Sequence, residues 1–115
     1  MLIEGQAAMK KFTIATVVAV SAICGVAQAA EPITDLQFLQ AARCRGLASS
    51  TGLGKVDTAK IDVFLKQELA VRELPVRVSA SNKIAAAQKE GDKATGAKKD
   101  KLLAERSDAC ASWLN

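Results

Sequence analysis

The sequence TDLQFLQAARCRGLA, residues 34–48, decides the fold of this chain. Thr34 and Gln37 have the spacing of a capping box, in which each side chain accepts the backbone N–H of the other residue. The box predicts a helix from Asp35 to Ala48. Its apolar residues cover much of the helix circumference, which predicts a well-buried helix. They are Leu36, Phe38, Leu39, Ala42, Cys44 and Leu47.

Upstream of this helix the chain has the pattern of a bacterial secretory signal peptide. Residues 9–29, MKKFTIATVVAVSAICGVAQA, combine a basic n-region, an apolar h-region and an A-x-A end. We therefore predict cleavage between Ala29 and Ala30 and export to the periplasm or the medium. Met9 is the better start, because Glu4 is out of place in a basic n-region.

Two alternatives to simple cleavage stay open at the sequence level. A retained membrane anchor is disfavoured because the second half of the uncharged run 12–30 is small and polar, whereas a span needs about 20 predominantly apolar residues. Lipidation at Cys24 is disfavoured because Ile23 stands where a small residue is wanted.

Cys44 of the first helix has Cys110 as its partner in a predicted disulfide, since an even pair is typical of small exported domains. Cys110 lies on the apolar side of a last helix, predicted from about Lys99 to Leu114. Closing so long a segment stabilises a fold by about 4 kcal/mol on the chain-entropy model. Two buried free thiols are the alternative, and the lack of a C-x-x-C motif disfavours a redox role.

The middle of the chain predicts further helices. A second helix is expected from about Thr58 to Leu74, ended by Pro75. Asp62 with Lys66 and Glu68 with Arg72 are expected to form i,i+4 ion pairs on its solvent side. Beyond it, glycines at 91 and 96 each weaken a continuous helix by about 1 kcal/mol. We expect a break near one of them, with Asp92 or Asp100 as the next N-cap, rather than one helix over residues 76–115.

A narrow stripe of small residues runs through this region at spacings of four and three. It suits close helix packing, either within this chain or against a second copy. Its members are Ala80, Ile84, Ala87, Gly91 and Ala94. No strand pattern or internal repeat appears, so residues 30–115 are expected to form one all-α domain, a disulfide-stapled bundle of three or four helices.

Composition excludes several classes of function. Residues 30–115 carry 14 Lys and Arg against 11 Asp and Glu, a mixed surface without the concentrated positive field of a nucleic-acid binder. The chain has no His, and both Met residues precede residue 30. Haem, copper or zinc would therefore lack its usual ligands, and acid–base catalysis would lack an imidazole. We expect no cofactor, no metal, no catalytic residue and no enzymatic activity.

Few residues stand out as contacts for a partner. A lysine cluster could bind an anionic surface, although Asp92 and Asp100 dilute its charge and a solvated helix face explains it more simply. The cluster comprises Lys93, Lys98, Lys99 and Lys101. Trp113 could anchor a partner, but capping the core beside Cys110 is its simpler role.

We therefore expect a small, exported, non-enzymatic interaction module of the cell envelope, with another envelope protein as its partner. One alternative is a periplasmic stress holdase, because protonation of 11 carboxylates in acid would leave 14 mutually repelling positive charges. Another is a peripheral binder of anionic envelope lipids, and a third is a small enzyme or enzyme subunit that uses Asp, Glu or Ser. The sequence leaves self-association open and names no specific ligand.

Overall fold

The computed structural model describes residues 32–115, and this part of the chain contains five helices. They are α1 (Asp35–Ala48), α2 (Ala59–Leu69), α3 (Leu74–Lys93), α4 (Gly96–Ser107) and the single turn α5 (Ala111–Leu114). No strand occurs between residues 32 and 115. The all-α prediction is confirmed, with five helices where three or four were expected. The predicted leader, its cleavage after Ala29 and the alternative at Cys24 lie outside the described residues.

Helix α1 begins and ends where its sequence predicts. The Thr34 amide donates to Gln37 Oε1 at 3.0 Å and the Gln37 amide donates to Thr34 Oγ1 at 3.1 Å, which completes the capping box. This helix lies at the centre of the fold and packs against each of the other four. One expectation is wrong, because Leu36 is 66% exposed. It lies in the first turn, beyond the reach of the helices that cover Phe38 and Leu47.

Small residues bring α1 and α3 into close contact. A methyl group added at Gly46 would lie 2.3 Å from the Ile84 carbonyl oxygen and 2.7 Å from Ala87 Cβ. One added at Gly91 would lie 2.5 Å from Ser50 Oγ. The order of these contacts shows that α1 and α3 run parallel. The small-residue stripe therefore packs against this chain's own first helix.

The boundary between α2 and α3 differs from its prediction. α2 ends at Leu69 rather than Leu74, and Leu74 is instead the first residue of α3, with Glu73 as its N-cap. Pro75 lies in the first turn of α3. Proline is tolerated there because the first N–H groups of a helix have no acceptor within it. Pro75 thus marks the start of a helix.

A break does separate α3 from α4, but the predicted caps are not used. α3 continues through Gly91, whose lack of a side chain makes room for the first helix's C-terminal loop. α4 begins at Gly96, whose φ of 56° is left-handed and favours glycine. Its N-cap is Thr95 rather than Asp92 or Asp100.

The predicted disulfide ties the end of the chain to α1. Cys44 and Cys110 are bonded, with their Cα atoms 5.5 Å apart, and both are buried. Cys110 lies in a turn that divides the predicted last helix into α4 and α5. Disulfides persist in oxidising compartments, so the pair indicates an extracytoplasmic location.

Candidate functional site

Arg43 of α1 joins three helices through two carboxylates. Its Nε and Nη2 donate to the two oxygens of Glu105 at 2.6 and 2.9 Å, and its Nη1 donates to Glu90 Oε1 at 2.9 Å. The hydrogen bonds to Glu105 raise the pKa of Arg43. Lys98 Nζ lies 3.0 Å from the other oxygen of Glu90, and the bonds from Lys98 and Arg43 lower the pKa of Glu90.

Arg72 fixes the opposite end of α1. It donates to Glu68, which confirms that predicted pair, and to Asp35 Oδ1 and the Ile33 carbonyl at 2.7 Å each. Its guanidinium carbon lies 5.3 Å from the ring centroid of Phe38. The bond to Glu68 raises the pKa of Arg72. The chain therefore enters the domain beside the turn that links α2 to α3.

Asp92 holds the loop that follows α1. One of its carboxylate oxygens accepts from Ser50 Oγ at 2.9 Å, from Thr51 Oγ1 at 3.1 Å and from the Gly52 amide at 3.1 Å. These hydrogen bonds lower the pKa of Asp92, and the bond from the Gly52 amide contributes most. A glycine at position 52 lets the loop lie against α3, since a methyl group there would meet the Gly91 carbonyl oxygen at 2.6 Å.

Arg106 holds the same loop from α4. Its guanidinium donates to the carbonyls of Leu47 at 3.2 Å, Gly54 at 2.7 Å and Leu53 at 3.2 Å. Burial lowers the pKa of Arg106. The loop after α1 is therefore held from two sides, by Asp92 of α3 through a backbone amide and by Arg106 of α4 through backbone carbonyls.

A concave surface with an apolar lining lies between α2 and α3. Both helices pack against α1, and they leave a groove of about 480 Å³ between them. Leu65, Leu69 and Ile84 supply its apolar lining, and polar side chains form its rim. The rim residues are Arg45, Asp62, Lys66 and Gln88. We call this surface the α2–α3 groove.

The charges at the rim of the α2–α3 groove are unevenly paired. Asp62 forms an ion pair with Arg45, so the predicted pair of Asp62 with Lys66 is wrong. Asp62 lies on the side of α2 that faces α1, and it pairs there with Arg45 of α1. Lys66 has no ion-pair partner within residues 32–115. Among the described residues, Lys66 is therefore a cation beside an apolar lining with no carboxylate paired to it.

A second surface follows the exposed side of α1 and includes Trp113. Two adjoining depressions of about 140 and 290 Å³ share Gln40 and Arg43. Leu36 lies in the first and Trp113 in the second. The ion pair between Arg43 and Glu105 occupies the wall of the second. We call this surface the α1 groove.

Trp113 itself packs on the core. Its ring centroid lies 4.9 Å from that of Phe64, at an interplanar angle of 44°, and the residue is half-buried beside the buried Cys110. This contact supports the simpler of its two predicted roles, and any contact with a partner stays a prediction.

Comparison with known proteins found no matching family model, no matching curated protein and no matching solved structure. None of α1 to α5 is long and apolar enough to cross a membrane. Within residues 32–115, no three metal-binding side chains come together.

The predicted lysine cluster lies around the turn between α3 and α4, and its members do not share one environment. Lys98 is paired with Glu90 at 3.0 Å. Lys93, Lys99 and Lys101 form no ion pair within the described residues, and Lys99 is partly buried. Binding of an anion by the cluster stays a prediction.

Sequence reasoning missed the α2–α3 groove. Leu65 and Leu69 have the spacing of core residues, and Leu65 is indeed 5% exposed. What opens the groove is the arrangement of α2 and α3, which contact α1 more than each other. One signal in the sequence was the narrowness of the small-residue stripe. A stripe this narrow is covered by a single helix, here α1, so the sides of α3 next to the stripe are left uncovered.

Proposed function

We propose that this protein is a small, exported, non-enzymatic accessory of the bacterial cell envelope that binds an amphipathic helix of another envelope protein in the α2–α3 groove. The leader pattern at residues 9–29 supports export, and the Cys44–Cys110 disulfide agrees with a periplasmic location. The lack of His in the chain and the use of Glu90 and Glu105 in structural ion pairs support a binding role.

The single observation that carries the proposal is an apolar groove between two helices that flank a third. Helix-in-groove recognition uses such a surface, with the ligand's apolar residues at spacings of three, four and seven. From Asp62 to Leu69 the groove wall extends about 10 Å along α2, at 1.5 Å per residue. That length suits about two turns of a partner helix.

The rim indicates the chemistry of the partner helix. Lys66 lies beside the apolar lining and forms no ion pair within residues 32–115, and a carboxylate on the partner would pair with it. Gln88 on the facing helix α3 can both donate and accept a hydrogen bond. An apolar lining with a polar rim is the usual anatomy of a protein interface. We expect a helix with Leu- or Val-like residues on one face and at least one acidic residue beside them.

The test is in-cell chemical crosslinking of the tagged, exported protein, followed by mass spectrometry at neutral and acid pH. We expect one dominant partner at both pH values. Leu69→Ala, which removes part of the groove lining, should reduce the yield of that partner about fivefold or more, corresponding to roughly 1 kcal/mol. Val63→Ala is the matched control, because Val63 lies on the same helix, is 58% exposed and is outside the groove.

An equal loss with Leu69→Ala and Val63→Ala would contradict the proposal, because the partner would then bind elsewhere. Circular dichroism of both variants separates a binding defect from a folding defect. Retention of helix content and of the unfolding transition in Leu69→Ala assigns its loss of partner to the groove.

A holdase chaperone is the second candidate, and the ion-pair network favours it specifically. Three elements meet at Arg43 through Glu90 and Glu105, and weakening of this network would loosen the packing of α1, α3 and α4 while the disulfide keeps the chain linked. This role predicts many partners that are crosslinked in acid alone. The same experiment distinguishes it, because a holdase would also suppress aggregation of an unrelated client at low pH.

A further inference from the structure

The side of α3 opposite its contact with α1 is exposed and partly apolar. Its residues repeat at spacings of four, four, four and three, so they share one side of the helix. They are Leu74, Val78, Asn82, Ala86 and Lys89. All five are exposed, Leu74 by 62% and Val78 by 50%. We call this surface the outward α3 face.

The two ends of the outward α3 face differ in size and in charge. Large apolar side chains lie in its N-terminal half, whereas Ala86 in the C-terminal half helps to line a depression of about 270 Å³. Glu73, directly before Leu74, is an exposed carboxylate, and Lys89 is an exposed cation near the other end. Neither forms an ion pair within residues 32–115, and Arg77, one turn after Glu73, does not pair with it.

We propose that the outward α3 face binds a second copy of this chain, with the two α3 helices antiparallel across a two-fold axis beside Asn82. Val78 then meets Ala86 of the second copy, and the stem of Lys89 covers Leu74 of the second copy. The Lys89 ammonium group reaches Glu73 of the second copy. Every contact occurs twice, because a two-fold interface uses the same patch on both copies.

Charge favours this occupant and this direction. A parallel pair would set Glu73 against Glu73 and Lys89 against Lys89, and like charges across an interface are costly. The antiparallel pair replaces both repulsions by attractions. An anionic bilayer suits the face less well, because it would repel Glu73. The outward α3 face is therefore complementary to itself when the second helix runs in the opposite direction.

Side-chain size and the central Asn82 favour the same arrangement. In the antiparallel pair the large Val78 lies against the small Ala86, beside the depression, whereas a parallel pair would set large residues against large ones. The Asn82 amide can both donate and accept a hydrogen bond, so the two copies of Asn82 can pair with each other at the axis. A single Asn in an apolar helix seam specifies register and oligomeric state in coiled coils.

The contact is small, which sets the expected affinity. From Leu74 to Lys89 the face extends about 22 Å along α3, at 1.5 Å per residue. One helix per copy buries less than about 1,200 Å² in total, the size range of weak and transient complexes. We therefore expect a reversible dimer with a dissociation constant of about 10–100 μM. No residue of the outward α3 face lines the α2–α3 groove, so dimerisation does not depend on the function proposed for that groove.

The experiment is sedimentation velocity of the protein after export with its own leader, its N-terminus assigned by intact mass. Concentrations extend about tenfold on either side of the expected dissociation constant, and the protein should change from monomer to dimer across them. Val78→Ser should weaken dimerisation about tenfold or more, since both copies lose an apolar contact. The matched control is Val63→Ser on α2, which removes the same side chain at a similar exposure of 58% and should leave dimerisation unchanged.

Charge exchange tests the direction of the pairing. Glu73→Lys and Lys89→Glu should each weaken dimerisation about fivefold, because an attraction becomes a repulsion at two places. Glu73→Lys/Lys89→Glu restores both attractions and should return the dissociation constant to within about twofold of the original value. The Glu73 side chain makes no cap hydrogen bond to α3, so its replacement should leave the helix intact. Circular dichroism of each variant checks that the fold is retained.

Four results would overturn the proposal. One is a protein that stays monomeric at every concentration, including one that binds anionic vesicles or another envelope protein through Val78 instead. Another is an equal loss with Val78→Ser and Val63→Ser. A third is a charge exchange that fails to restore dimerisation, since the helices would then not be antiparallel in this register. The fourth is a dimer that is lost in Leu69→Ala, because the second copy would then lie in the α2–α3 groove. The first three results leave partner binding in that groove untouched.

Discussion

Replacing Gly46 by Ala tests how tightly α1 and α3 pack. The added methyl group would lie 2.3 Å from the Ile84 carbonyl oxygen, 2.7 Å from Ala87 Cβ and 3.0 Å from the Gln88 amide nitrogen. Because two of these atoms are backbone, the helices must separate by about 1 Å to restore an ordinary contact. A gap of that size forfeits roughly a quarter to a half of the van der Waals attraction across the interface.

The expected loss combines two opposing effects. Overpacking a core costs about 1–3 kcal/mol, and rigid backbone atoms at the clash place Gly46→Ala at the upper end. Better helix propensity returns about 1 kcal/mol. The net loss is therefore about 2 kcal/mol, which lowers the Tm of a domain this size by about 8–16 °C. Thermal and urea unfolding followed by circular dichroism measure both quantities.

Two further variants make this result specific. Ala85→Gly, on the exposed side of α3, should destabilise by about 1 kcal/mol through helix propensity alone. Gly46→Ala/Ala87→Gly should lose less stability than the sum of its two single changes, because it removes the clash with Ala87 Cβ but leaves the one with the Ile84 carbonyl. If Gly46→Ala instead raised the Tm, propensity would dominate and the close packing of α1 on α3 would be refuted.

Three other perturbations test the remaining contacts. Cys44→Ala/Cys110→Ala opens a link across 66 residues and should lower the free energy of unfolding by about 4 kcal/mol in urea titrations; a loss below about 1 kcal/mol would contradict this. Arg43→Gln breaks the bonds to Glu90 and Glu105 and should lower the free energy of unfolding by about 1 kcal/mol. Arg45→Gln loses a single half-exposed partner and should lower it by less than about 0.5 kcal/mol. Equal losses would show that the Arg43 network adds no stability. Because the folded-state pKa of Asp92 is depressed, its contribution is present above the ordinary Asp pKa of about 4 and is lost as pH falls through the folded value. Asp92→Asn should therefore destabilise the protein at pH 7 and flatten the acid limb of its stability curve, and an unchanged curve would contradict the role of Asp92.

Local sequence rules predicted the parts of the fold that depend on near neighbours. The capping box at Thr34 and Gln37 set the start of α1 because both bonds join residues three positions apart. The pairing of Cys44 with Cys110 followed from the small number of cysteines downstream of the predicted leader.

Features that depend on distant contacts were predicted poorly. Gly91 was expected to weaken its helix, yet Ser50 from another part of the chain occupies the space of the missing side chain. Asp92 was expected as a helix cap, yet it binds the loop at Ser50 and Gly52. In each case a residue about 40 positions away decided the outcome, and single-sequence patterns do not show which partner that will be.

The candidate site was the least predictable feature. Leu36 was expected in the buried surface of α1, three residues before Leu39, but it lies in the exposed first turn of the helix. The α2–α3 groove arises from the gap between two helices that both pack against α1. Propensity and capping fix where helices begin and end, whereas the gap between them depends on which side chains lie at each crossing.

Site-specific photo-crosslinking in the cell tests the occupancy of the α2–α3 groove most directly. A photoreactive amino acid replaces Gln88 at the groove rim or, as the control, Gln67 on the exposed surface of α2 outside the groove. We predict a single crosslinked species from position 88 at neutral pH, absent from position 67, in which the crosslinked peptide of the partner is an amphipathic helix with an acidic residue. Equal crosslinking from both positions, or none from position 88, would contradict binding in the groove.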